Sequence, residues 1–298
     1  MKKYLAIDIN KTKLKYAIID EKLDISKQGN AYITTKSKED LFLVYRNVVE
    51  ENRSEIEGVT ISLPGVIDMN TGYAYSGGVF SWVNHFPYAQ ELSEYLNIPV
   101  VLCNDAKAAA LAEIGYGSLK RINNGVLLML LSTGIGGAVI VDGHLLNGNS
   151  FAAGEFSYLN GNYQKNNPEN LFYKICSTDQ LTNLVSQECG KEINILQVMA
   201  GLSRKEEKVI AGVKKFCDAL AMFIYNIQCV VDAQRFVIGG SISNEPIIMK
   251  MIQESVAEAF AKAPYQRIYL PEIVPAVFKE NAKMYGAVYH YRKLKEEI

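Results

Sequence analysis

The feature that most constrains the fold is a strand–loop–strand pattern that occurs twice in the chain. Tyr4–Asp20 reads YLAIDINKTKLKYAIID, which is an apolar run, a polar turn and a second apolar run. Residues 126–142 read VLLMLLSTGIGGAVIVD, which is the same arrangement. Each apolar run has the length of a strand, so both stretches predict a hairpin. Two copies of one pattern indicate an internal duplication of one α/β unit.

Strands and helices alternate after each hairpin. In the first half the predicted strands are Tyr4–Ile9, Leu14–Ile19, Ala31–Thr35, 58–65 and 99–105, and the predicted helices are Lys38–Asn52, Tyr88–Leu96 and 106–117. In the second half the predicted order is an irregular segment at 147–177, a long helix near Arg204–Val231, a strand at 235–240, a helix from Pro246, a strand at 268–278 and a final helix from about Asn281. Such alternation is typical of helices packed on sheets, the α/β class.

The length of the chain favours two domains. A chain of 298 residues is too long for one ordinary hydrophobic core. No linker or low-complexity segment separates the two halves. We therefore expect an N-terminal α/β domain over residues 1–118 and a C-terminal α/β domain over residues 119–281. The last helix, about 282–298, is expected to pack back on the first domain.

Composition excludes several classes of function. The net charge of −1 gives no electrostatic reason to expect nucleic acid or an anionic membrane surface as a partner. Apolar runs such as Val126–Leu131 are far too short to span a membrane. The N-terminus, MKKYLAIDIN, enters a strand at once and does not have the pattern of a signal peptide. Five cysteines without a C-x-x-C pair predict reduced thiols in a cytoplasmic protein.

The loop of the second hairpin has the composition of a phosphate loop. Ser132–Gly137 reads STGIGG, so a hydroxyl pair and three glycines lie between two strands. Backbone N–H groups in such a loop can approach an anion closely. The same loop is also compatible with a glycine-rich hairpin that binds nothing. The equivalent loop in the other half favours the first interpretation, because two facing hairpins can hold one nucleotide from opposite sides.

The loop of the first hairpin is less typical of phosphate binding. Asp8 closes the first strand, and Thr12 and Lys13 lie in the loop, as they would beside a nucleotide's phosphates. Phosphate loops usually carry glycine, whereas this loop has Asn10 and Lys11 at its tip. Asparagine tolerates left-handed backbone geometry, so we expect Asn10 to imitate one glycine. The alternative is a simple hairpin turn.

Polar or glycine residues follow other predicted strands. Asn104 and Asp105 end one strand and start a helix, so Asp105 is either a helix cap or a catalytic base at the carboxyl end of a strand. Gly239 and Gly240 follow another strand, where they permit either a turn or the flat approach of a base or ribose. Glu155 lies in the irregular segment, where a lone glutamate is usually solvated.

Taken together, these segments resemble the ROK family (repressor, open reading frame, kinase) of sugar kinases in the actin-like ATPase superfamily. The resemblance covers essentially the whole chain, and the pairing of NDAKAAALAE with TGIGG is its most specific part. The matching segments are AIDINKTK, ISLPGVID, PVVLCNDAKAAALAE, LSTGIGGAVIVDGHLLNG, AAGEF and FVIGGSIS.

The resemblance implies a fold and a chemistry. The fold would be two duplicated ribonuclease-H-like α/β domains around a cleft, with ATP on the second domain and the sugar between them. Asp105 would take a proton from a sugar hydroxyl, and Asp8 would orient Mg²⁺ through water. The sugar-binding residues would be Asn84, Asn104, Glu155 and Tyr158. The nucleotide-binding residues would be Asp8, Asn10, Lys11, Thr12, Lys13, Thr133, Gly134, Gly136, Gly239 and Gly240.

The sequence departs from the family pattern in the sugar segment. The usual Glu-x-x-His is Glu155-Phe156-Ser157-Tyr158, so Tyr158 replaces the histidine. The cysteine cluster that usually binds structural zinc is missing, because Cys176 is the only cysteine between Asn160 and Ser177. The resemblance therefore implies a zinc-free branch that looks most like the β-glucoside kinases. With Tyr158, an aromatic platform of Phe80 and Trp82 is expected to suit a second sugar ring or an aryl group.

The expected function is an ATP-dependent kinase that phosphorylates a hexose or β-glucoside, at the 6-hydroxyl. Kinases for free glucose or N-acetylmannosamine remain alternatives. A non-catalytic sugar sensor on the same fold is another alternative. Family repressors carry an N-terminal helix-turn-helix, and this chain begins directly in the first strand, so a role on DNA is not expected. Family members are often dimers, which leaves a homodimer open.

Overall fold

The computed structural model describes residues 1–34, 36–162, 167–264, 267–296 and 298. Contacts between Cα atoms divide the chain into two units. The first consists of residues 1–117, 147–153 and 280–298, and the second of residues 118–146 and 154–279. The segment 147–153 therefore groups with the first unit, whereas the sequence-based boundary placed it in the second. Thr35, the last residue of a predicted strand, lies outside the described residues.

The strands and helices are as follows. The strands are β1 (Lys3–Ile9), β2 (Lys13–Asp20), β3 (Ile25–Tyr32), β4 (Gly58–Leu63), β5 (Ile67–Asp68), β6 (Tyr73–Ser76), β7 (Asn84–Phe86), β8 (Val100–Asn104), β9 (Gly125–Leu130), β10 (Ile135–Val141), β11 (His144–Leu145), β12 (Arg235–Gly239) and β13 (Glu272–Pro275). The helices are α1 (Lys38–Glu50), α2 (Tyr88–Leu96), α3 (Asp105–Tyr116), α4 (Phe172–Cys176), α5 (Thr178–Cys189), α6 (Ile195–Ser203), α7 (Glu207–Val231), α8 (Pro246–Ala261) and α9 (Ala282–Leu294).

The two units contain five-stranded sheets of the same topology. The first sheet has the order β3-β2-β1-β4-β8 and the second the order β11-β10-β9-β12-β13. In each, the opening hairpin is antiparallel and the next two strands run parallel to its first strand. This repetition confirms the predicted duplicated ribonuclease-H-like α/β fold.

One interior strand of each sheet is fully buried. Every residue of β4 (GVTISL) and of β9 (GVLLML) is buried, as expected for strands covered on both faces. In the second unit the long helix α7 buries one stripe, at helical spacing, that includes Val209, Val213 and Phe216. Both sheets thus have rigid centres, which fix the ends of the strands.

Two predicted boundaries were wrong. Strand β3 begins at Ile25 rather than Ala31, because it continues the meander from β2 with Tyr32 opposite Lys13. Its central residues, SKQGN, are polar because it is an edge strand, so no apolar alternation marks it. Helix α7 begins at Glu207 rather than Arg204, because Lys205 has a φ of 57° after the end of α6.

Helix α9 packs against α3 inside the first unit. A Cβ atom on Gly286 would lie 1.6 Å from the carbonyl oxygen of Ala108, so the two helices touch backbone to backbone there. A Cβ on Gly115 would meet the ring of Tyr289 at 2.7 Å. The close approach explains why glycine is needed at both positions. Within the described part of the chain, no helix combines the length and the apolar character that crossing a membrane requires.

Candidate functional site

Three parallel strands of the first unit end at the same edge of the sheet. Asp8 on β1 pairs in register with Ser62 on β4, and Leu63 pairs with Asn104 on β8. The Ser62 hydroxyl donates to Asp8 Oδ1 at 3.0 Å. The carboxyl edge of a parallel sheet is where open α/β folds bind their ligands. The topology therefore brings Asp8 close to the Asn104–Asp105 pair.

Asn104, rather than Asp105, caps helix α3. Its side-chain oxygen accepts from the backbone N–H of Lys107 at 3.0 Å, and its Nδ2 donates to the carbonyl oxygen of Gly65 at 2.8 Å. Asp105 is the first residue of the helix, and its Oδ1 accepts from the N–H of Ala106 at 2.8 Å. The capping role considered for Asp105 is thus taken by its neighbour. The helix N-terminus also favours the negative charge of Asp105.

Lys283 contacts both carboxylates of this edge. Its Nζ lies 3.2 Å from Asp105 Oδ2 and 3.5 Å from Asp8 Oδ1, and its side chain is 18% exposed. Burial disfavours the charged ammonium, but the charges of Asp105 and Asp8 more than offset this effect, so the pKa of Lys283 is raised. Sequence patterns did not predict Lys283 as a site residue. The one available signal was a lysine among small and apolar residues in the first turn of the last helix, ENAKMYGA.

The tip of the first hairpin is closed by a side chain. Asn10 Oδ1 accepts from the N–H groups of Thr12 at 3.1 Å and of Lys13 at 2.9 Å. The backbone N–H of Asn10 donates to the carbonyl of Lys13 at 2.9 Å. Neither Asn10 nor Lys11 has a positive φ, so the predicted imitation of a glycine by left-handed backbone was wrong. Asparagine closes the turn with its amide instead, and Lys11 and Thr12 are exposed.

The glycine-rich hairpin of the second unit has an open tip. The N–H of Leu131 donates to the carbonyl of Gly134 at 3.0 Å, which closes the turn. Thr133 is exposed, and a Cβ built on Gly134 would meet no heavy atom within 4 Å. The tip therefore has space beside it for a ligand. The start of α5 is joined to the same loop, because the N–H of Asp179 donates to the carbonyl of Ser132 at 3.1 Å.

The predicted sugar segment packs on this hairpin within the second unit. Ser157 Oγ donates to the carbonyl of Ile135 at 2.7 Å and accepts from its N–H at 3.0 Å. A Cβ on Gly137 would lie 2.3 Å from the ring of Phe156, so glycine permits this approach. Glu155 precedes the short 3₁₀ turn Phe156–Tyr158 and is partly buried. Tyr158 is 68% exposed, so it does not fill a core position.

The glycine pair at the end of β12 packs tightly against β9. Gly240 has a φ of 96°, and a Cβ there would lie 2.0 Å from the carbonyl oxygen of Leu130. A Cβ on Gly239 would lie 2.2 Å from the sulfur of Met129. Gly240 therefore requires glycine for the fold, whatever ligand it also admits, whereas a side chain at Gly239 would require the Met129 side chain to move.

Asn84 is linked to Asn104 through the backbone of the first unit. It lies on β7, where it pairs with Ser76 on β6. The Ser76 carbonyl oxygen lies so near Gly65 that a Cβ there would be only 2.1 Å from it. The carbonyl oxygen of Gly65 in turn accepts the hydrogen bond from Asn104 Nδ2. Asn84 is exposed. The structure thus joins the strand of Asn84 to the edge that carries Asp105.

Aromatic side chains surround this part of the first unit, but not as expected. Phe80 is 3% exposed and belongs to the core, so its predicted role in a binding platform was wrong. Tyr75 stacks on Phe151 with ring centroids 5.5 Å apart and planes at 19°. The ring of His85 stands at 87° to that of Tyr75, at 5.7 Å. Tyr75 and His85 lie next to Ser76 and Asn84 on the paired strands β6 and β7.

Asp8 has the chemistry to hold a hydrated Mg²⁺. Mg²⁺ prefers oxygen ligands and usually keeps several waters in protein sites. Within the described residues, the two contacts of the Asp8 carboxylate, with Ser62 and with Lys283, fall on Oδ1, which leaves Oδ2 for such a water. Among the described residues no three His, Cys, Asp or Glu side chains come together as a metal-binding group. The expectation that no zinc is bound stays a prediction.

The site residues fall into two sets. The first unit brings together Asp8, Asn104 and Asp105, with Lys283 added by the structure and Asn84 nearby on β7. The second unit brings together the Thr133–Gly136 loop, Glu155 and Gly240 around the ends of β9 and β10.

The cysteines expected to be thiols are free in the structure, and burial raises the pKa of Cys217 to about 12.

Comparisons with known proteins agree with this geometry. The model of the ROK family matches residues 4–293. A β-glucoside kinase from Listeria innocua is 26% identical over 99% of this chain and 98% of its own length. An N-acetylmannosamine kinase from Salmonella newport is 29% identical over 95% of this chain and 96% of its own length.

Solved structures agree at the level of the fold. A ROK family protein from Streptococcus pneumoniae, solved in complex with sucrose, superposes with a TM-score of 0.85 at 23% identity, over 99% of this chain and 100% of its own. A family match over almost the whole sequence, together with the duplicated sheets and the polar strand ends, leads to one conclusion. The chain belongs to the ROK family.

Proposed function

We propose that the protein is an ATP-dependent kinase that phosphorylates a hexose or β-glucoside at the 6-hydroxyl. The observation that carries the proposal is the position of Asp105 at a strand end. Asn104 caps the helix in its place, so the Asp105 carboxylate is not part of the cap. Its two oxygens accept from the N–H of Ala106 and from Lys283, and each keeps a second lone pair that can accept from a bound hydroxyl. Relatives that cover almost the whole chain are named as sugar kinases, which supports the same activity.

In the proposed mechanism the chain's own residues mainly align the reactants. Asp105 accepts the proton of the attacking hydroxyl, and Asn84, Asn104, Glu155 and Tyr158 bind the rest of the sugar. Thr133, Gly134 and Gly136 hold phosphate oxygens, and Gly239 and Gly240 lie under the adenosine. Alignment and charge neutralisation supply most of the catalysis in phosphoryl transfer.

The first hairpin would serve the phosphates differently from a glycine loop. The N–H groups of Thr12 and Lys13 already donate to Asn10, so the side chains of Lys11, Thr12 and Lys13 are left to contact phosphate. Asp8 would hold a water on Mg²⁺, whose charge neutralises the phosphate oxygens when it is bound.

A panel assay tests the proposal. ADP release is measured with ATP, Mg²⁺ and each of several hexoses and β-glucosides, for the wild-type protein and for Asp105→Asn. We expect sugar-dependent ADP release that the substitution removes. If no sugar in the panel gives ADP release, the alternative of a sugar-binding regulator on the same fold is favoured. Sugar binding without turnover, measured by calorimetry, would support that alternative directly.

A β-glucoside is our proposed substrate, ahead of free glucose or N-acetylmannosamine. The exposed Tyr158 and the stacked Tyr75 and Phe151 offer aromatic faces of the kind that bind sugar rings or aryl groups. The relatives named for β-glucosides support this choice, and the one named for N-acetylmannosamine supports the alternative.

The remaining expectations concern the setting of the enzyme. Free thiols and the use of ATP support a cytoplasmic location. The near-zero net charge supports a protein with no nucleic-acid partner. The homodimer remains part of the proposal, and light scattering of the purified protein measures it.

A further inference from the structure

Lys283 occupies a position that is unfavourable for stability alone. Its ammonium is largely buried, and taking a charge out of water costs free energy. It also lies in the first turn of α9, where the helix dipole disfavours a cation. Positions that break such rules are often functional ones.

The frame that holds Lys283 is rigid. Gly286 of α9 meets the carbonyl oxygen of Ala108 in α3. Lys283 lies three residues before Gly286, and Asp105 lies three residues before Ala108. The neighbours of Lys283 are fixed as well, since Ala282 and Met284 are 2% and 3% exposed. The ammonium is therefore set in place by the packing of two helices.

The same ammonium spans both acidic groups of the site. Asp105 Oδ2 is 3.2 Å away and Asp8 Oδ1 is 3.5 Å away, so one cation faces two carboxylates, one at the start of α3 and one on β1. Without it, the two negative charges would repel each other and the Asp105 side chain would lose its fixed partner. A lysine ammonium has three N–H donors, so a third remains after these two contacts.

We propose that Lys283 is a positioning residue for phosphoryl transfer, which orients Asp105 toward the acceptor hydroxyl and holds it at a fixed distance from Asp8. The inference rests on the proposed kinase function. Lys283 acts through Asp105, so its loss lowers the rate of transfer rather than the binding of sugar or ATP. We expect a loss of about 10- to 100-fold, the size typical of outer-shell groups that orient metal ligands.

The test compares Lys283→Met, Lys283→Arg and the wild-type protein. We expect Lys283→Met to lower kcat by about 10- to 100-fold, with the KM values for sugar and ATP within a few-fold of wild type. Lys283→Arg keeps the charge and is expected to recover part of the loss. Lys38→Met is the matched control, because Lys38 pairs with Glu91 at 2.9 Å on the surface of the same unit.

A double-mutant cycle separates positioning from a merely structural role. In the Asp105→Asn background, Lys283→Met is expected to change kcat little further, because the group that Lys283 orients is already gone. Full additivity of the two losses, or wild-type kcat in Lys283→Met, would overturn the inference while the kinase assignment stands. Loss of kcat that follows a large fall in Tm would also overturn it. A wild-type protein without turnover on any sugar refutes both the function and this role.

Discussion

The side-chain oxygen of Asn104 accepts the N–H of Lys107 at 3.0 Å, and this bond separates the stability of helix α3 from its chemistry. Asp105→Asn is therefore expected to leave the fold intact and to lower kcat by about 10²–10⁴-fold, the usual contribution of a general base. Asn104→Ala removes the cap and is expected to cost about 0.5–2 kcal/mol of stability. Thermal melts and ADP release measure the two effects. Activity of Asp105→Asn within a few-fold of wild type would exclude Asp105 as the base.

Lys11 at the tip of the first hairpin is expected to contact the phosphates of ATP. Its side chain is exposed, and the neighbouring N–H groups are occupied by Asn10. Lys11→Gly should therefore raise the KM for ATP, because a positive charge near the transferring group is lost. Lys22→Gly, in the turn at the other end of β2, is the control. Faster turnover in Lys11→Gly would mean that the lysine only crowds the loop.

Purified protein is expected to contain far less than one zinc per chain. Structural zinc requires about four Cys or His ligands. Tyr158 stands where the family has a histidine, and it is exposed. Elemental analysis after dialysis measures the content. One zinc per chain that survives dialysis would contradict the expectation.

The kcat/KM for cellobiose or an aryl β-glucoside is expected to exceed that for glucose, N-acetylmannosamine and fructose. Tyr75→Leu removes one ring of the stack with Phe151 and should lower kcat/KM for the β-glucoside more than for glucose. Tyr269→Leu, an exposed tyrosine of the second unit, is the control. A clear preference for any free monosaccharide would overturn the choice of substrate and leave the kinase activity in place.

The stability of the protein is expected to fall as the pH drops below about 6.5, the ordinary pKa of histidine. His290 is buried with Nε2 2.8 Å from the carbonyl oxygen of Met69, and burial lowers its pKa. The unfolded chain then binds more protons than the folded one, so the free energy of unfolding decreases with falling pH. His290→Gln should weaken this dependence between pH 6.5 and 5, as thermal melts would show. The exposed His144→Gln should not, and an unchanged slope in His290→Gln would refute the role of His290.

Sequence patterns predicted the fold well because the fold is repeated. Two hairpins with the same apolar pattern identified both sheets. The sequence also placed Asp8 and Asp105 at strand ends, and the order of the strands in the sheet brings them together. Strand β3 was partly missed because an edge strand carries polar residues on both faces.

The missed features depend on contacts that no local pattern contains. Lys283 is 178 positions from Asp105 and lies in a helix where a lysine usually faces solvent. Asn10 could close the hairpin either by left-handed backbone or by its side chain, and both fit the same residue type. Phe80 and Trp82 are separated by one residue, but the loop turns Phe80 into the core.

The bonds between Ser157 and Ile135 have a consequence for the evolution of substrate preference. The segment that carries Glu155 and the loop that carries Thr133 share one hydrogen-bonded seam and one glycine contact, at Gly137. A substitution inside that seam would disturb both loops at once. Preference for a new sugar substrate is therefore most easily gained by substitutions at side chains outside these contacts, such as the exposed Tyr158. Transplanting the whole segment into another scaffold would require its hairpin to move with it.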